Sequence, residues 1–234
     1  MTQNASKNAA NTNAANTNAA YTEAITHFRT AEMSDDERTN VHQAVVAAAA
    51  NATFYVPMVS VGSNQVLSVE GPGGRKIQPV FTTVEKLLDW NAQAAPNQAP
   101  MQPIAQACNA AGVEWIVINP TDPKEFVLRR SAVEALAEGR EWMPPHCDLE
   151  VGEAFRVSVE KHPIVNHIHL FLGDPDAKGV GNELTVQVIM TPGTDADKMQ
   201  EALTALAADW QATPVITHRA ESIGIELAVE GHTH

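Results

Sequence analysis

Apolar residues recur at helical spacing in several stretches of the chain. YTEAITHF places Tyr21, Ile25 and Phe28 on one stripe, and the next stretch, SDDERTNVHQAVVAAAAN, opens with Ser34 and Glu37. Serine followed three residues later by glutamate is the spacing of a capping box, in which two backbone donors at the start of a helix are satisfied. We therefore predict two N-terminal helices. Later helical patterns are VEKLLDW, PIAQACNAAG, SAVEALAEG and ADKMQEALTALAADWQA.

Short apolar runs bounded by turn residues predict strands between these helices. The predicted strands are TFYVPMVSV, QVLSVEG, KIQPVFT, VEWIVINP, EFVLRR, IVNHIHLFLG, ELTVQVIM, PVITHRA and IGIELAV. GPGGR predicts a hairpin turn, and the polar NAQAAPNQAPMQ is expected to be a connection without regular structure. Alternation in VGEAFRVSVEKHP is typical of a strand, but Pro163 and the order of elements favour a helix.

This order of elements predicts an α+β protein of two small domains, each a mostly antiparallel or mixed sheet with helices on one face. Pro57 and Pro79 lack a backbone donor, so we expect them at strand edges, bulges or ends. The predicted organisation is a disordered Asn/Ala/Thr tail (1–20), N-terminal helices (21–53), a first domain (54–141) and a second domain (148–230). The Pro-rich EWMPPHCD separates the two domains.

The composition and net charge of the chain argue against some classes of binding partner. The chain has 234 residues, of which 44% are hydrophobic, and a formal net charge of -13. An acidic chain argues against partners that are nucleic acids or anionic membranes, because both require a basic face. Residues 144–234 contain five basic and fourteen acidic residues, a net of -9, and the rest of the chain supplies -4. A solvated acidic surface explains this charge, and a basic protein partner is the alternative.

Cysteine use and the absence of a targeting pattern predict a cytoplasmic protein. Cys108 and Cys147 are far apart and form neither a disulfide framework nor a zinc pattern. The N-terminus has no apolar signal region, and no run approaches the roughly 18 apolar residues that span a bilayer. His146 and Cys147 are adjacent in the predicted linker, which is weak evidence for a nucleophile.

The strand-to-helix corner PVFTTVEK raises the question of a phosphate loop. A phosphate cradle needs glycines whose backbone donors face the anion, and this corner has none. Lys86 lies one turn inside the helix, too far along to act as the lysine of such a loop. A threonine at position 82 or 83 that caps the helix explains the pattern, so we predict a cap.

One pair of histidines has metal-ligand spacing. His167 and His169 lie two apart on a predicted strand, hence on one face of the sheet. Two imidazoles suit zinc, but a zinc site needs at least a third ligand. His162, and His218 on another predicted strand, are candidates for it. A solvent-facing sheet surface bearing imidazoles is the alternative explanation.

Several motifs together resemble the SseB family, the enhanced-serine-sensitivity proteins. They are FYVPMVSV, IQPVFTTVEKLLDW and VEWIVINP, followed by a hairpin strand and a short helix. Residues 54–138 resemble the N-terminal domain of that family in order and spacing. Residues 148–229, which include VGEAF and HPIVNHIHLFLG, resemble its C-terminal domain.

The resemblance implies a bacterial cytoplasmic protein, linked by name to serine sensitivity, without catalytic residues to carry over. The type III secretion label attached to such domains belongs by name to an unrelated secreted protein, and we expect no secretion from it. The motif residues are expected to build the first domain and to rim a groove between the domains, which makes them the binding candidates. They are Tyr55, Pro57, Pro79, Phe81, Thr82, Trp90, Asn119 and Pro120.

Three hypotheses of function follow. The first is a non-enzymatic cytoplasmic binding or regulatory protein without a cofactor, which acts through protein-protein contacts with a partner or with further copies of itself. The second is a metal-dependent enzyme that holds zinc at His167 and His169. The third is a sensor of a small amino-acid-like ligand related to serine.

Overall fold

The computed structural model describes residues 18–62 and 65–229. These residues form two compact units. The first contains the described residues up to Trp142 together with Asp176–Lys178, and the second contains Met143–Pro175 and the described residues from Gly179 onwards. Most of the predicted tail lies outside the described residues, but residues 18–20, which the prediction included in it, are helical.

The first unit combines five helices with six strands in its described part. In chain order these are α1 (18–30), α2 (Asp35–Ala50), β1 (Thr53–Met58), β2 (Val69–Glu70), β3 (Lys76–Val80), α3 (Val84–Trp90), β4 (Ala95–Pro100), α4 (Met101–Ala110), β5 (Trp115–Ile118), β6 (Phe126–Leu128) and α5 (Arg130–Glu138). A short 3-10 turn, Pro72–Gly74, joins β2 to β3 at the predicted hairpin.

The two N-terminal helices form as the sequence predicts. Ser34 accepts a hydrogen bond from the backbone of Glu37, whose side chain accepts one from the Ser34 backbone, so the capping box is complete. The stripe on α1 is buried, with Tyr21, Ile25 and Phe28 at most 2% exposed. Both helices therefore contribute to the hydrophobic core of the first unit.

The strands of the first unit form two sheets. β1 and β4 pair antiparallel, and a four-stranded sheet has the order β2-β3-β5-β6, with β3 and β5 parallel. β4 lies in NAQAAPNQAPMQ, so the prediction of an irregular connection there is wrong. Four of its six residues are exposed and none is a large apolar residue, so its order comes from the ladder with β1. Hydrophobic periodicity cannot show such a non-local pairing.

The second unit is a three-stranded sheet with helices. Its elements are α6 (Leu149–Val159), β7 (Val165–Leu172), β8 (Leu184–Met190), α7 (Ala196–Ala212), α8 (Pro214–Arg219) and β9 (Ile223–Val229), preceded by a 3-10 turn at Pro145–Cys147. The strand order is β7-β8-β9, antiparallel between β7 and β8 and parallel between β8 and β9. The α+β class is confirmed.

Two stretches of the second unit are helices although their apolar and polar residues alternate or favour a strand. VGEAFRVSVEKHP forms α6, the helix favoured by the order of elements. PVITHRA was predicted to be a strand and is instead α8, with Pro214 at its first position and Ile216 in the core. Proline at the first position of a helix is well tolerated, and burial of one side chain outweighs the weak strand preference of β-branched residues. His218 is therefore on a helix.

The core of the second unit is centred on Trp210 of α7. Its ring packs against Phe155 of α6 with centroids 4.9 Å apart, and its indole nitrogen donates a hydrogen bond of 2.7 Å to the hydroxyl of Ser158. Val186 and Val188 of β8 complete this core. Within the described ranges, no helix has both the length and the apolar character needed to cross a membrane.

Candidate functional site

The strand-to-helix corner PVFTTVEK forms the helix cap that the sequence predicts. The hydroxyl of Thr83 accepts a hydrogen bond of 3.3 Å from the backbone nitrogen of Lys86, and Thr83 is the N-cap residue of α3. Only Leu87 of α3 is fully buried, whereas Leu88 is 39% exposed. The corner thus places Thr82, Thr83 and Lys86 on the surface side of the short helix.

Asn119 holds the end of β5 against this corner. Its side-chain oxygen accepts hydrogen bonds from the backbone nitrogen of Thr82 at 2.9 Å and from the Thr82 hydroxyl at 3.1 Å. Asn119 has φ 50°, and Thr121 after it has φ 67°. Two left-handed non-glycine residues so close together are uncommon, and such strained backbone clusters at ligand-binding sites.

The aromatic motif residues have a structural role. Phe81 is fully buried and lies 5.4 Å from Trp90, ring centroid to centroid, in a small cluster that also includes Leu87 and Tyr55. Tyr55 and Phe81 also exchange backbone hydrogen bonds of 2.8 and 2.9 Å. This cluster fixes the direction in which the chain leaves β3.

The three prolines of the motif lie beside these contacts. Pro57 is in β1 opposite Pro96 of β4, and Pro79 is in β3 opposite Val117 of β5. Both are buried, and Pro120 follows Asn119 in a half-buried position. Of the eight motif residues, Thr82 and Asn119 are the two that line a cavity of the first unit next to α1.

That cavity lies between α1 and the corner and has a volume of about 800 Å³. Below it is called the α1 cavity. The residues of its wall that carry polar groups relevant to binding are Tyr21, Thr82, Thr83, Lys86, Asn119 and Lys124. They come from α1, from the β3–α3 corner and from the loop after β5, three segments that are distant in sequence.

Two lysines bring positive charge to the α1 cavity. The ammonium of Lys86 lies 2.9 Å from a carboxylate oxygen of Asp122, and the ammonium of Lys124 donates a hydrogen bond of 2.8 Å to the hydroxyl of Thr26. The other carboxylate oxygen of Asp122 accepts from the backbone nitrogen of Lys124 at 2.8 Å. Partial burial would raise the pKa of Asp122, but these contacts outweigh it and hold the pKa below its ordinary value.

Tyr21 contributes a hydroxyl without a partner. The residue is 1% exposed, its ring packs edge-on against Phe54, and its hydroxyl has no hydrogen-bond partner among the described residues. Burial raises the pKa of the phenol, and the charges that act on it are those of Arg29 and Asp122. The hydroxyl is therefore protonated, and it is not accessible from the cavity.

The histidine pair is placed as predicted but gains no third ligand. His167 and His169 lie on one face of β7, at an edge of the sheet, with ring centroids 4.9 Å apart. Residues 18–62 and 65–229 contain no group of three or more His, Cys, Asp or Glu side chains that could hold a metal ion. The zinc site remains a prediction, with two imidazoles as its described donors.

Sequence reasoning missed most of the wall of the α1 cavity. Lys86 was considered only as the lysine of a phosphate loop, and Lys124 and Tyr21 were not considered as binding residues. The position of Asn119 at the end of a buried strand, followed by an aspartate and a lysine within five residues, is the available signal. This signal indicates a cavity wall only when α1 packs beside these residues, and that packing is visible only in the tertiary structure.

Comparison with known proteins agrees with these motifs. Residues 28–135 match the family model of the SseB protein N-terminal domain, a range that contains every motif residue named above. No curated protein and no solved structure is a significant match to the chain. Residues 28–135 of the chain therefore form a domain of the SseB N-terminal type.

Proposed function

We propose that this protein is a non-enzymatic binding protein of the SseB type that takes a small polar ligand into the α1 cavity. The observation that carries the proposal is the position of Thr82 and Asn119, two motif residues of the family, in the wall of a cavity of about 800 Å³. A cavity of this size suits a small molecule, and a few convergent polar groups are what orient one.

The chemistry of the wall favours binding. The lysine ammonium groups and the amide of Asn119 are hydrogen-bond donors, and Asp122, held ionised by its neighbours, is an acceptor whose two oxygens are occupied. Cys108, elsewhere in the unit, is buried, and burial raises the pKa of its thiol to about 12. That thiol stays protonated and a poor nucleophile at neutral pH.

A panel of free amino acids and small hydroxylated acids, screened by thermal unfolding of the full chain, tests the proposal. A ligand that binds only the native state at about 100 times its Kd adds about 2.7 kcal/mol, which raises Tm by roughly 5 °C or more. A serine-related amino acid among the stabilising compounds would support the amino-acid sensor. A panel in which no compound raises Tm would contradict the proposal.

Two matched substitutions on α1 test whether the compound that raises Tm binds in the α1 cavity. Thr22 is exposed and lines the α1 cavity, so Thr22→Trp fills the mouth of the cavity and should abolish the Tm shift. Ala20 is exposed on the same helix and does not line the cavity, so Ala20→Trp should retain the shift. An unchanged shift in Thr22→Trp would place the ligand elsewhere.

Protein-protein contact is a second candidate function, supported by a groove on α6. Leu149 is 89% exposed and Val157 43% exposed, and both line a groove of about 510 Å³ with Ala154 and Val215. Exposed apolar side chains grouped in a groove are typical of interaction surfaces. The proposed occupant is an apolar segment of a protein partner.

Chemical cross-linking in cells tests this second function. The double variant Leu149→Glu/Val157→Glu should lose the cross-linked partner, whereas Val180→Glu, a change at a 72% exposed valine of the same unit, should keep it. Size-exclusion chromatography with light scattering identifies further copies of this chain as the partner. Identical cross-links in wild type and double variant would contradict the proposed surface.

A further inference from the structure

The donors of the α1 cavity are more numerous than the acceptors that the protein offers them. An ammonium group has three N–H donors. Within the described part of the chain, Lys86 directs one contact to Asp122, and Lys124 directs one side-chain hydrogen bond to Thr26. The amide nitrogen of Asn119 makes no hydrogen bond to any described residue. Each lysine thus has donors left for a ligand.

The hydroxyls of α1 satisfy only one of these donors, through Thr26. Thr22 and Thr26 both donate to backbone carbonyls one turn earlier, on Asn18 and Thr22 respectively. Thr26 then accepts from Lys124, and the carboxylate of Asp122 already accepts on both of its oxygens. The polar groups of α1 therefore leave the lysine donors in excess.

The charges near the cavity favour the same kind of ligand as the excess of donors, a negatively charged acceptor. Lys86 and Lys124 line the cavity and carry two positive charges. Asp122, which contacts Lys86 but is not a wall residue, carries one negative charge, and all three are half-buried. Glu23 and His27 also line the cavity, but both are exposed on the outer part of α1. Solvent screens the charge of Glu23 more strongly than the charges of the half-buried groups. The inner wall therefore favours an anion.

We propose that the α1 cavity binds the anionic group of a small organic acid, a carboxylate or a phosphate, between the ammonium groups of Lys86 and Lys124. The inference rests on the proposed function, because it specifies the ligand class of the same cavity. The anion is held by side chains from three segments. It therefore differs from the glycine-rich backbone cradle that the sequence of the corner excludes.

Three probes with one carbon skeleton test the ligand class by calorimetry on the full chain. They are glycerol, glycerate and glycerol 3-phosphate, which share hydroxyls and differ in the anionic group. We expect one or both acids to bind, with Kd at least tenfold lower than for glycerol in the same salt. The tighter of the two acids identifies the carboxylate or the phosphate as the preferred group.

Substitution of each lysine tests whether its ammonium group binds the anion. Lys86→Met and Lys124→Met should each raise the Kd of the bound acid at least tenfold, and Lys76→Met, at an exposed lysine of β3, should leave it unchanged. Tyr21→Phe removes a hydroxyl that is not on the cavity surface, so it should leave Kd unchanged. Either lysine variant alone decides the test if the other does not fold.

The outcomes separate the inference from the proposed function. Glycerol that binds as tightly as the acids, with binding lost in Thr22→Trp, would overturn the anion and leave the cavity as a ligand site. Acids that bind equally well to the Lys86→Met and Lys124→Met variants would also overturn it. Failure of these probes together with the whole thermal panel would contradict both proposals.

Discussion

The side-chain oxygen of Asn119 accepts hydrogen bonds from both the backbone nitrogen and the hydroxyl of Thr82, at 2.9 and 3.1 Å. These bonds join the end of β5 to the turn after β3, two strands that are parallel neighbours in the sheet. They hold the loop that carries Asp122 and Lys124 next to the corner that carries Lys86. The side chain of Asn119 therefore joins two segments of the cavity wall.

Two substitutions at Asn119 separate its two roles. Asn119→Gly removes the hydrogen bonds but suits a φ of 50°, so it should destabilise the protein by about 1–3 kcal/mol. Asn119→Ala also places a Cβ in the left-handed region and should cost about 1–2 kcal/mol more. Urea unfolding measures both variants. Equal stabilities of the two variants would show that the backbone conformation relaxes on substitution.

The stability of the protein should depend on Asp122 at acid pH. Its pKa in the folded protein is lowered, so it stabilises the fold above its unfolded pKa of about 3.9, and this contribution is lost as the pH falls through the folded value. Asp122→Asn removes this dependence. The urea midpoint of wild type should therefore fall more steeply below about pH 4 than that of the variant. Parallel pH profiles would contradict the assigned contacts with Lys86 and Lys124.

Each unit contains a tryptophan whose indole nitrogen donates to a buried serine. Trp210 donates to Ser158 at 2.7 Å in the second unit, and Trp142 donates to Ser131 at 3.0 Å in the first. Substitution of either serine by alanine leaves a buried donor without that acceptor and should cost about 1–3 kcal/mol. Hydrogen exchange should show lower protection in the unit that carries each change. Loss of protection confined to the other unit would contradict this assignment.

The histidine pair predicts a specific result in metal analysis. Two imidazoles on β7 provide half of a structural zinc site, and His167 and His169 have no third His, Cys, Asp or Glu donor within the described ranges. Full-length protein purified without an affinity tag should therefore carry zinc well below one equivalent. Stoichiometric zinc that disappears in His167→Ala/His169→Ala would instead support the metal-dependent enzyme.

Local signals predicted the elements whose order is set within a few residues. The capping box of Ser34 and Glu37 and the cap at Thr83 need only neighbouring residues to form. For the same reason, the helical stripe on Tyr21 could be identified from its spacing. Of these features, the corner at Thr83 lies in a motif that carries the resemblance to the SseB family.

Non-local contacts account for what the sequence could not show. β4 is ordered by pairing with β1, and α8 by the burial of Ile216, and neither pairing nor burial is visible in a hydrophobic period. The α1 cavity is a stronger example, because Lys124 contacts Thr26 of α1 only after α1 packs on the unit. A lysine in a sequence does not show whether its ammonium faces solvent or a cavity.

Hydrogen exchange of the full chain, with and without the compound that raises Tm most, tests the central claim most directly. Binding in the α1 cavity should slow exchange in peptides that cover residues 18–30, 82–86 and 119–124, and this protection should be absent in Thr22→Trp. A compound that raises Tm but protects only peptides of the second unit, or protects Thr22→Trp equally, would contradict the proposed site.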